Sequence, residues 1–323
     1  MAYSDLVVKK ALERLSSAKK EKEAIYQEHL DQAYARLPRL HEIDLQLRSI
    51  AAEAVSKAIS RGEDPALAID ALRDKSLSLQ NERQWLLDDA GFEDDYLDDA
   101  PICELCGGSG YVGAKMCECL RELCRQEQKR ELTSLLNTGK ETFDNFSLDY
   151  YPETFDPSIS TSPRRMMHHN LTVCKKYAQE FSASSGNLLF SGNTGLGKTF
   201  LSGCIARIVA DNGFSVVYET VSKVFSDFEA VKLSRMDASV LDKYLNCDLF
   251  ILDDLGTEIT TPFSVSALYT IVNSRLLAGK AVIISTNIAP DKLEARYSPQ
   301  IASRILGNYQ LIPFVGKDIR LMK

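Results

Sequence analysis

The sequence predicts an α/β protein: a five-stranded parallel sheet with helices on both faces, preceded by a helical, coiled-coil-like region and a small cysteine-rich module. Three observations carry this. The run Ser191-Gly192-Asn193-Thr194-Gly195-Leu196-Gly197-Lys198-Thr199 is a complete G-x-x-x-x-G-K-T phosphate loop between a strand candidate and a helix candidate. From about residue 166, short apolar runs alternate with helix-sized segments, the pattern of βαβ units. Upstream, Cys103, Cys106, Cys117, Cys119 and Cys124 are bunched together, whereas Cys174, Cys204 and Cys247 are scattered.

Residues 1 to about 90 read as helix throughout, with Gly62 the only glycine before Gly91. Leu40, Ile43, Leu47, Ile50 and Ala54 recur at alternating steps of three and four, and Ile69, Leu72, Leu79 and Leu86 keep the same frame. Such spacing gives a narrow apolar stripe suited to helix pairing. Ser76 and Arg83 interrupt the stripe. Pro38 and the turn Arg61-Gly62-Glu63-Asp64-Pro65 divide the region into about three helices. Two readings stay open: a structural antiparallel bundle, or a partner-docking module, which a helical unit ahead of a motor domain favours. Asp88 to Glu104 holds eight acidic side chains and no basic one, the mark of a solvated linker. The expected organisation is 1–98 helical and docking, 99–130 cysteine module, 131–165 connector and 166–323 ATPase.

The cysteine module reads as a zinc ribbon. Cys103-x-x-Cys106 puts two thiolates on one side of a tetrahedral ion, the Gly-rich stretch to Tyr111-Val112 bends the chain back, and Cys117-x-Cys119 supplies the rest. That last spacing is tight, so Cys124 is an alternative fourth ligand to Cys119. Four sulfur ligands leave no open position, so the Zn²⁺ is structural. The resulting rigid knob suits protein or nucleic-acid contact.

In the last region, Asn187 to Phe190 is the strand entering the phosphate loop and Thr199 to Val209 the helix leaving it. Gly192, Gly195 and Gly197 let backbone N–H groups face phosphate oxygens, with Asn193, Thr194, Leu196 and Phe200 completing the ATP-binding set. Lys198 reaches the β- and γ-phosphates and Thr199 ligates Mg²⁺. Further strands are Val216 to Tyr218, Leu249 to Leu252, Val282 to Ser285 and Leu311 to Phe314. The third of the five runs into Asp253-Asp254, the first carboxylate placed to hold Mg²⁺ and the second to activate water. The fourth ends near Asn287, a candidate to sit between γ-phosphate and water. Arg296, Arg304 and Arg320 are candidates to neutralise γ-phosphate charge, and spacing does not choose among them.

A formal net charge of −7 excludes wholesale electrostatic binding to nucleic acid. No apolar run is long enough for a membrane span, and the first residues lack a charged-then-apolar signal, so a cytoplasmic protein is expected.

Thr142-Phe143-Asp144-Asn145-Phe146, the phosphate loop, Asp253-Asp254-Leu255-Gly256-Thr257-Glu258, Ile271 to Arg275, Ser285-Thr286-Asn287 and Ser303-Arg304-Ile305 together resemble the bacterial replicative-helicase loader ATPases of the DnaC/DnaI type, in the AAA+ superfamily. The resemblance covers about residues 140 to 323, and the zinc ribbon is similar to that of loader-like proteins from Gram-positive bacteria and their phages. It implies ATP-dependent loading of a hexameric replicative DNA helicase onto single-stranded DNA, and self-association through the ATPase domain. By the same resemblance, Lys198, Thr199, Asp253 and Asp254 are the nucleotide motifs and Asn287 the polar sensor. Arg304 becomes a finger acting in trans and Arg320 a second sensor. Asp254 departs from the general pattern, where Glu is usual, so water activation is expected to be slower or more dependent on assembly. The family also implies a DNA-facing helix at about Ser222 to Asn246, with Lys223, Lys232 and Arg235 as phosphate contacts. The rival readings are an IstB-type transposition helper and a nucleotide-regulated adaptor with little turnover.

Overall fold

The computed structural model describes residues 3–59, 65–93, 95–135 and 141–322, without side-chain detail at 55–59, 65–71 and 133–135. It divides into two compact units, Glu13–Cys119 and Met1–Leu12 with Leu120–Lys323.

Three helices open the chain: α1 (Asp5–Arg36), α2 (Pro38–Ile59) and α3 (Pro65–Asp89). The expected division at Pro38 is present; the expected turn at Arg61 to Asp64 lies outside the described residues. The apolar stripe does what its spacing requires. Ile43, Ile50 and Leu79 are buried together, with Leu47, Leu72 and Leu86 against them. Arg83, the polar interruption, pairs with Asp44 at 2.9 Å.

The acidic stretch from Asp88 is not a solvated linker. Phe92, Tyr96 and Leu97 pack onto Ala33, Leu40 and Leu87. Tyr96 stacks on His29 with ring centroids 4.1 Å apart, and Asp98 pairs with Lys22 at 3.0 Å. Charge counting misses this because three apolar side chains, interleaved with the carboxylates, gain more by burial than the chain loses in freedom. The cysteine module follows, with the two-residue strands β1 (Tyr111–Val112) and β2 (Lys115–Met116) paired antiparallel.

The larger unit takes in most of α4 (Glu118–Leu135), then α5 (Pro163–Gln179), β3 (Asn187–Ser191), α6 (Lys198–Asp211), β4 (Val216–Thr220), α7 (Val221–Lys232) and α8 (Asp242–Asn246). It is completed by β5 (Leu249–Leu255), α9 (Pro262–Leu277), β6 (Ala281–Thr286), α10 (Leu293–Arg296), α11 (Pro299–Asn308) and β7 (Tyr309–Pro313). The five strands form one parallel sheet in the order β4-β5-β6-β3-β7. Period-two alternation assigns the layers. Leu188, Phe190, Ile251 and Ile283 face the α5 and α6 side. Leu189, Phe250, Leu252, Val282 and Ile284 face α7, α9 and α11.

The expected helix from Ser222 to Asn246 is two helices. Ser234, at φ 54°, breaks the run, and Asp237 caps the turn that follows by accepting from Ser239 N at 2.8 Å. The outer edge of β4 is covered by Gln128 of α4, whose Nε2 donates to Phe214 O at 2.9 Å and whose Oε1 accepts from Val216 N at 3.0 Å. That fork occupies backbone groups that an edge strand otherwise leaves open. Among the described residues, no helix is long and apolar enough to cross a membrane.

Candidate functional site

The phosphate loop joins the end of β3 to the start of α6, at the carboxyl ends of the strands. Gly195 has φ +73°, a left-handed conformation that favours glycine, and a Cβ there would displace the Asp318 carboxylate. Gly197 caps α6 in the left-handed region. Lys198 is buried, and its Nζ donates to Gly192 O and Asn193 O at 2.7 Å each. Burial lowers its pKa, while the charges of Asp254 and Asp253 oppose that shift.

β5 delivers the two aspartates to opposite environments. Asp253 is buried, and its Oδ2 accepts from Thr199 Oγ1 at 3.0 Å and from Tyr218 OH at 2.8 Å. Its Oδ1 accepts from Ser285 Oγ. A register shift between Leu252 and Leu255 then interrupts the β5–β6 ladder. Asp254 sits in that irregularity with φ 60°, its N–H donating to Ser285 Oγ at 2.9 Å. Its side chain lines the pocket mouth. Although Asp254 is exposed, desolvation there and the charge of Asp253 push its carboxyl above the usual range.

A cavity of about 800 Å³ spreads from the phosphate loop. Thr194 to Phe200, Asp254, Thr257, Ile319 and Arg320 form part of its lining. The remainder comes from 141–151, the segment expected to be a connector: Glu141, Asn145, Phe146, Ser147, Tyr150 and Tyr151. Phe146 lies 5.8 Å from Phe200 and 5.9 Å from Tyr151, centroid to centroid. Tyr151 OH donates to Leu196 O at 3.0 Å, tying this wall to the loop. The density of aromatic residues at Phe143, Phe146, Tyr150 and Tyr151 was the available signal, since a solvated connector has no use for four rings.

The remaining candidates separate in space. Arg320 lines the cavity. Arg304 does not: it donates to Asn273 Oδ1 and Tyr269 OH at 2.9 Å each, between α11 and α9. Arg296 donates to Gly256 O and Glu258 O at 3.2 and 2.8 Å, bracing the loop after β5. Asn287, just past the end of β6, is exposed beside Gly256 and does not line the cavity, whereas Ser285 within β6 touches both aspartates. Gly192 and Asn193 hold the lysine rather than line the cavity. Of the expected DNA contacts, Lys223 is paired with buried Asp227 at 2.6 Å and Lys232 lies over the Phe263 ring at 5.0 Å. Arg235 is exposed on the loop between α7 and α8.

In the smaller unit, the thiols of Cys103, Cys106, Cys117 and Cys119 all lie within 4.8 Å of one another. Cys103 Sγ is 3.7 Å from Cys117 Sγ, and Cys106 Sγ is 3.4 Å from Cys119 Sγ. Tetrahedral Zn–S bonds of about 2.3 Å place sulfurs roughly 3.8 Å apart, so the donor set fits zinc. Burial opposes ionisation of Cys106, yet the N–H groups of Gly110 and Gly108 and the nearby thiols of Cys119 and Cys103 hold it down to about 6. Cys124 is outside the group. It sits about 140° further round α4 than Cys119 and is fully buried, which pushes its thiol up to about 11.

A phosphate loop, a strand ending in paired carboxylates and an arginine at one cavity, on a parallel sheet of this order, define a P-loop ATP-binding protein of the AAA+ kind. Residues 153–307 match the family of IstB-like ATP binding proteins. The chain is 25% identical over 207 residues to the protein YdaV of Escherichia coli K12, covering 61% of this chain and 75% of YdaV. It is 25% identical over 144 residues to the replicative helicase loader DnaC of Buchnera aphidicola, covering 43% of this chain and 58% of the loader. It is 26% identical over 121 residues to an ATP-binding protein in an insertion sequence of Mycobacterium tuberculosis, covering 37% and 48%. Among solved structures, the DnaC helicase loader aligns at 20% identity and TM-score 0.45, covering 54% of this chain and 98% of that one.

Proposed function

We infer that this chain is an ATP-hydrolysing loader of a hexameric replicative DNA helicase, acting in the cytoplasm on single-stranded DNA. The observation that carries the reading is the split of the arginines. Arg320 lines its own chain's cavity, while Arg304 is held outside it on α11. Lys198 and Arg320 are the cavity's own cations; Arg304, presented outside it, would add a third to a neighbouring copy's site and make ATP bound at the phosphate loop the bond between subunits. The helicase partner is supported by the curated relatives named as loaders, of whose length the chain spans 58% in the Buchnera case.

The residues have separable tasks. Lys198 balances charge on the β- and γ-phosphates. Thr199 Oγ1 and Asp253 Oδ2 are hard oxygen donors 3.0 Å apart, a pair suited to Mg²⁺. Mg²⁺ held by that pair would supply positive charge against the negative charge that develops on the phosphates. Asp254 accepts the proton of the attacking water, and the raised affinity of its carboxyl for protons suits a base. The four-thiol centre holds structural Zn²⁺. ATP acts chiefly as an assembly switch, with slow hydrolysis resetting it.

Light scattering of the full-length protein mixed with its host's replicative helicase, with and without ATP, tests this. A defined complex whose mass depends on ATP supports the loader reading; no complex under any nucleotide condition sinks it for that helicase. A second reading, a transposition helper, is favoured by the IstB-like match over residues 153–307. It predicts an ATP-dependent complex with a transposase instead.

A further inference from the structure

Lys198, Thr199, Asp253 and Asp254 account for the nucleotide chemistry, but the buried phenol beside them has no part in it so far. Tyr218 is on β4, where it pairs with Ile251 of β5, and is 5% exposed. Its hydroxyl donates to Asp253 Oδ2 at 2.8 Å, the same oxygen that accepts from Thr199 Oγ1 at 3.0 Å. On its other side stands Ser202 Oγ of α6, at 3.0 Å. Ser202 Oγ also lies 3.1 Å from Thr199 O. The four side chains therefore close a ring: Thr199, Asp253, Tyr218, Ser202 and back to the Thr199 backbone.

Counting protons orders this ring. An ionised carboxylate only accepts. The single phenol proton therefore goes to Asp253, and the single Ser202 proton is shared between Thr199 O and the phenol oxygen. Ser285 secures the other carboxylate oxygen. One oxygen of Asp253 is thus aimed at Thr199 by a strand neighbour that has no other polar partner besides Ser202 among the described residues.

We propose that Tyr218 is a positioning residue for magnesium, holding Asp253 Oδ2 so that it converges with Thr199 Oγ1 on one metal-binding point. The proposal rests on the Mg²⁺–ATP reading of the site. Its physical basis is that a carboxylate with a free χ2 exchanges its oxygens, whereas one held by fixed donors meets the metal already aimed. Hydrogen bonds to metal-ligating groups are worth about 10- to 100-fold in metal affinity. A packing role predicts something different, because phenylalanine fills the same space.

The test titrates Mg²⁺ into full-length protein with a fluorescent ATP analogue, and repeats the binding in excess EDTA. For Tyr218→Phe the Mg²⁺ concentration giving half-maximal tightening rises about tenfold, and affinity in EDTA stays at the wild-type value. Ser202→Ala, which removes the hydroxyl between the phenol and Thr199 O and leaves the Tyr218–Asp253 bond in place, moves the midpoint the same way by less. An unchanged midpoint in both variants, beside a wild type that tightens with Mg²⁺, overturns the positioning role and leaves the metal reading standing. A wild type whose binding ignores Mg²⁺ overturns the metal reading, and the role of Tyr218 with it.

Discussion

Thr199 and Asp253 stand 54 positions apart in the chain, yet Thr199 Oγ1 donates to Asp253 Oδ2 at 3.0 Å. The contact exists because α6 starts and β5 ends at the same edge of one parallel sheet. Asp253→Ala removes the acceptor of three hydroxyl donors in a buried place. Leaving such donors unpaired costs about 1–3 kcal/mol each. The expected result is a lowered melting temperature together with loss of Mg²⁺-dependent nucleotide binding. Differential scanning calorimetry and a binding titration read the two effects separately.

Asp254→Asn keeps the shape of the pocket mouth and removes the proposed base. Hydrolysis falls by about 10²- to 10⁴-fold, while ATP affinity is retained and the ATP-bound assembly accumulates. An adaptor with little turnover would be unaffected, so the turnover number and the assembly mass decide between the two. The pH dependence has a definite sign. Desolvation and Asp253 raise the Asp254 pKa, so the base is lost to protonation on acidification sooner than an ordinary aspartate would be. Turnover therefore falls as pH drops through that raised value, and the asparagine variant loses this limb of the profile.

Arg304 is expected to act on a neighbour. Arg304→Ala should leave nucleotide binding intact and abolish the rise of specific activity with protein concentration. Mixing it with Asp254→Asn protein restores partial turnover if one chain supplies the arginine and the other the base. Unchanged activity of the mixture would place the arginine in a structural role with Tyr269 and Asn273.

Elemental analysis of protein purified without chelator should return one zinc per chain. Cys119→Ser should lower the zinc content, and Cys124→Ser, outside the four-thiol group, should not. Removing the metal should lower the melting temperature of the smaller unit, since binding energy at a closed thiolate site is folding energy.

Asp227 joins α7 to α8: it accepts from Tyr244 OH and Lys223 Nζ at 2.6 Å each, with Lys243 at 3.4 Å. Burial alone would raise its pKa, but those partners hold it below the usual range. The contribution to stability is therefore present above the unfolded value of about 3.9 and is lost as pH falls through the lower folded value. Asp227→Asn should cost about 1–3 kcal/mol at neutral pH and flatten the acid limb of a melting-temperature series.

Much of the site was legible because its residues are contiguous. The phosphate loop and Asp253-Asp254 each sit at the end of a strand, and short-range rules for glycine, apolar runs and helix starts suffice to place them. The paired apolar stripe of α2 and α3 and the Cys103 to Cys119 group were legible for the same reason: spacing of a few residues sets which side chains share a face or a turn. Those determinations belong to the sequence alone. Tertiary structure decided what depends on residues far apart meeting. It put Phe146 and Tyr151 against the nucleotide loop, Phe92 and Tyr96 onto the helices, and Arg304 away from Arg320. It also brought Tyr218, an ordinary strand residue by every local rule, within 2.8 Å of Asp253. The physical reason is register. Strand pairing sets Tyr218 opposite Ile251 and Thr220 opposite Asp253, and no spacing along the chain encodes which hydroxyl will then stand beside which carboxylate.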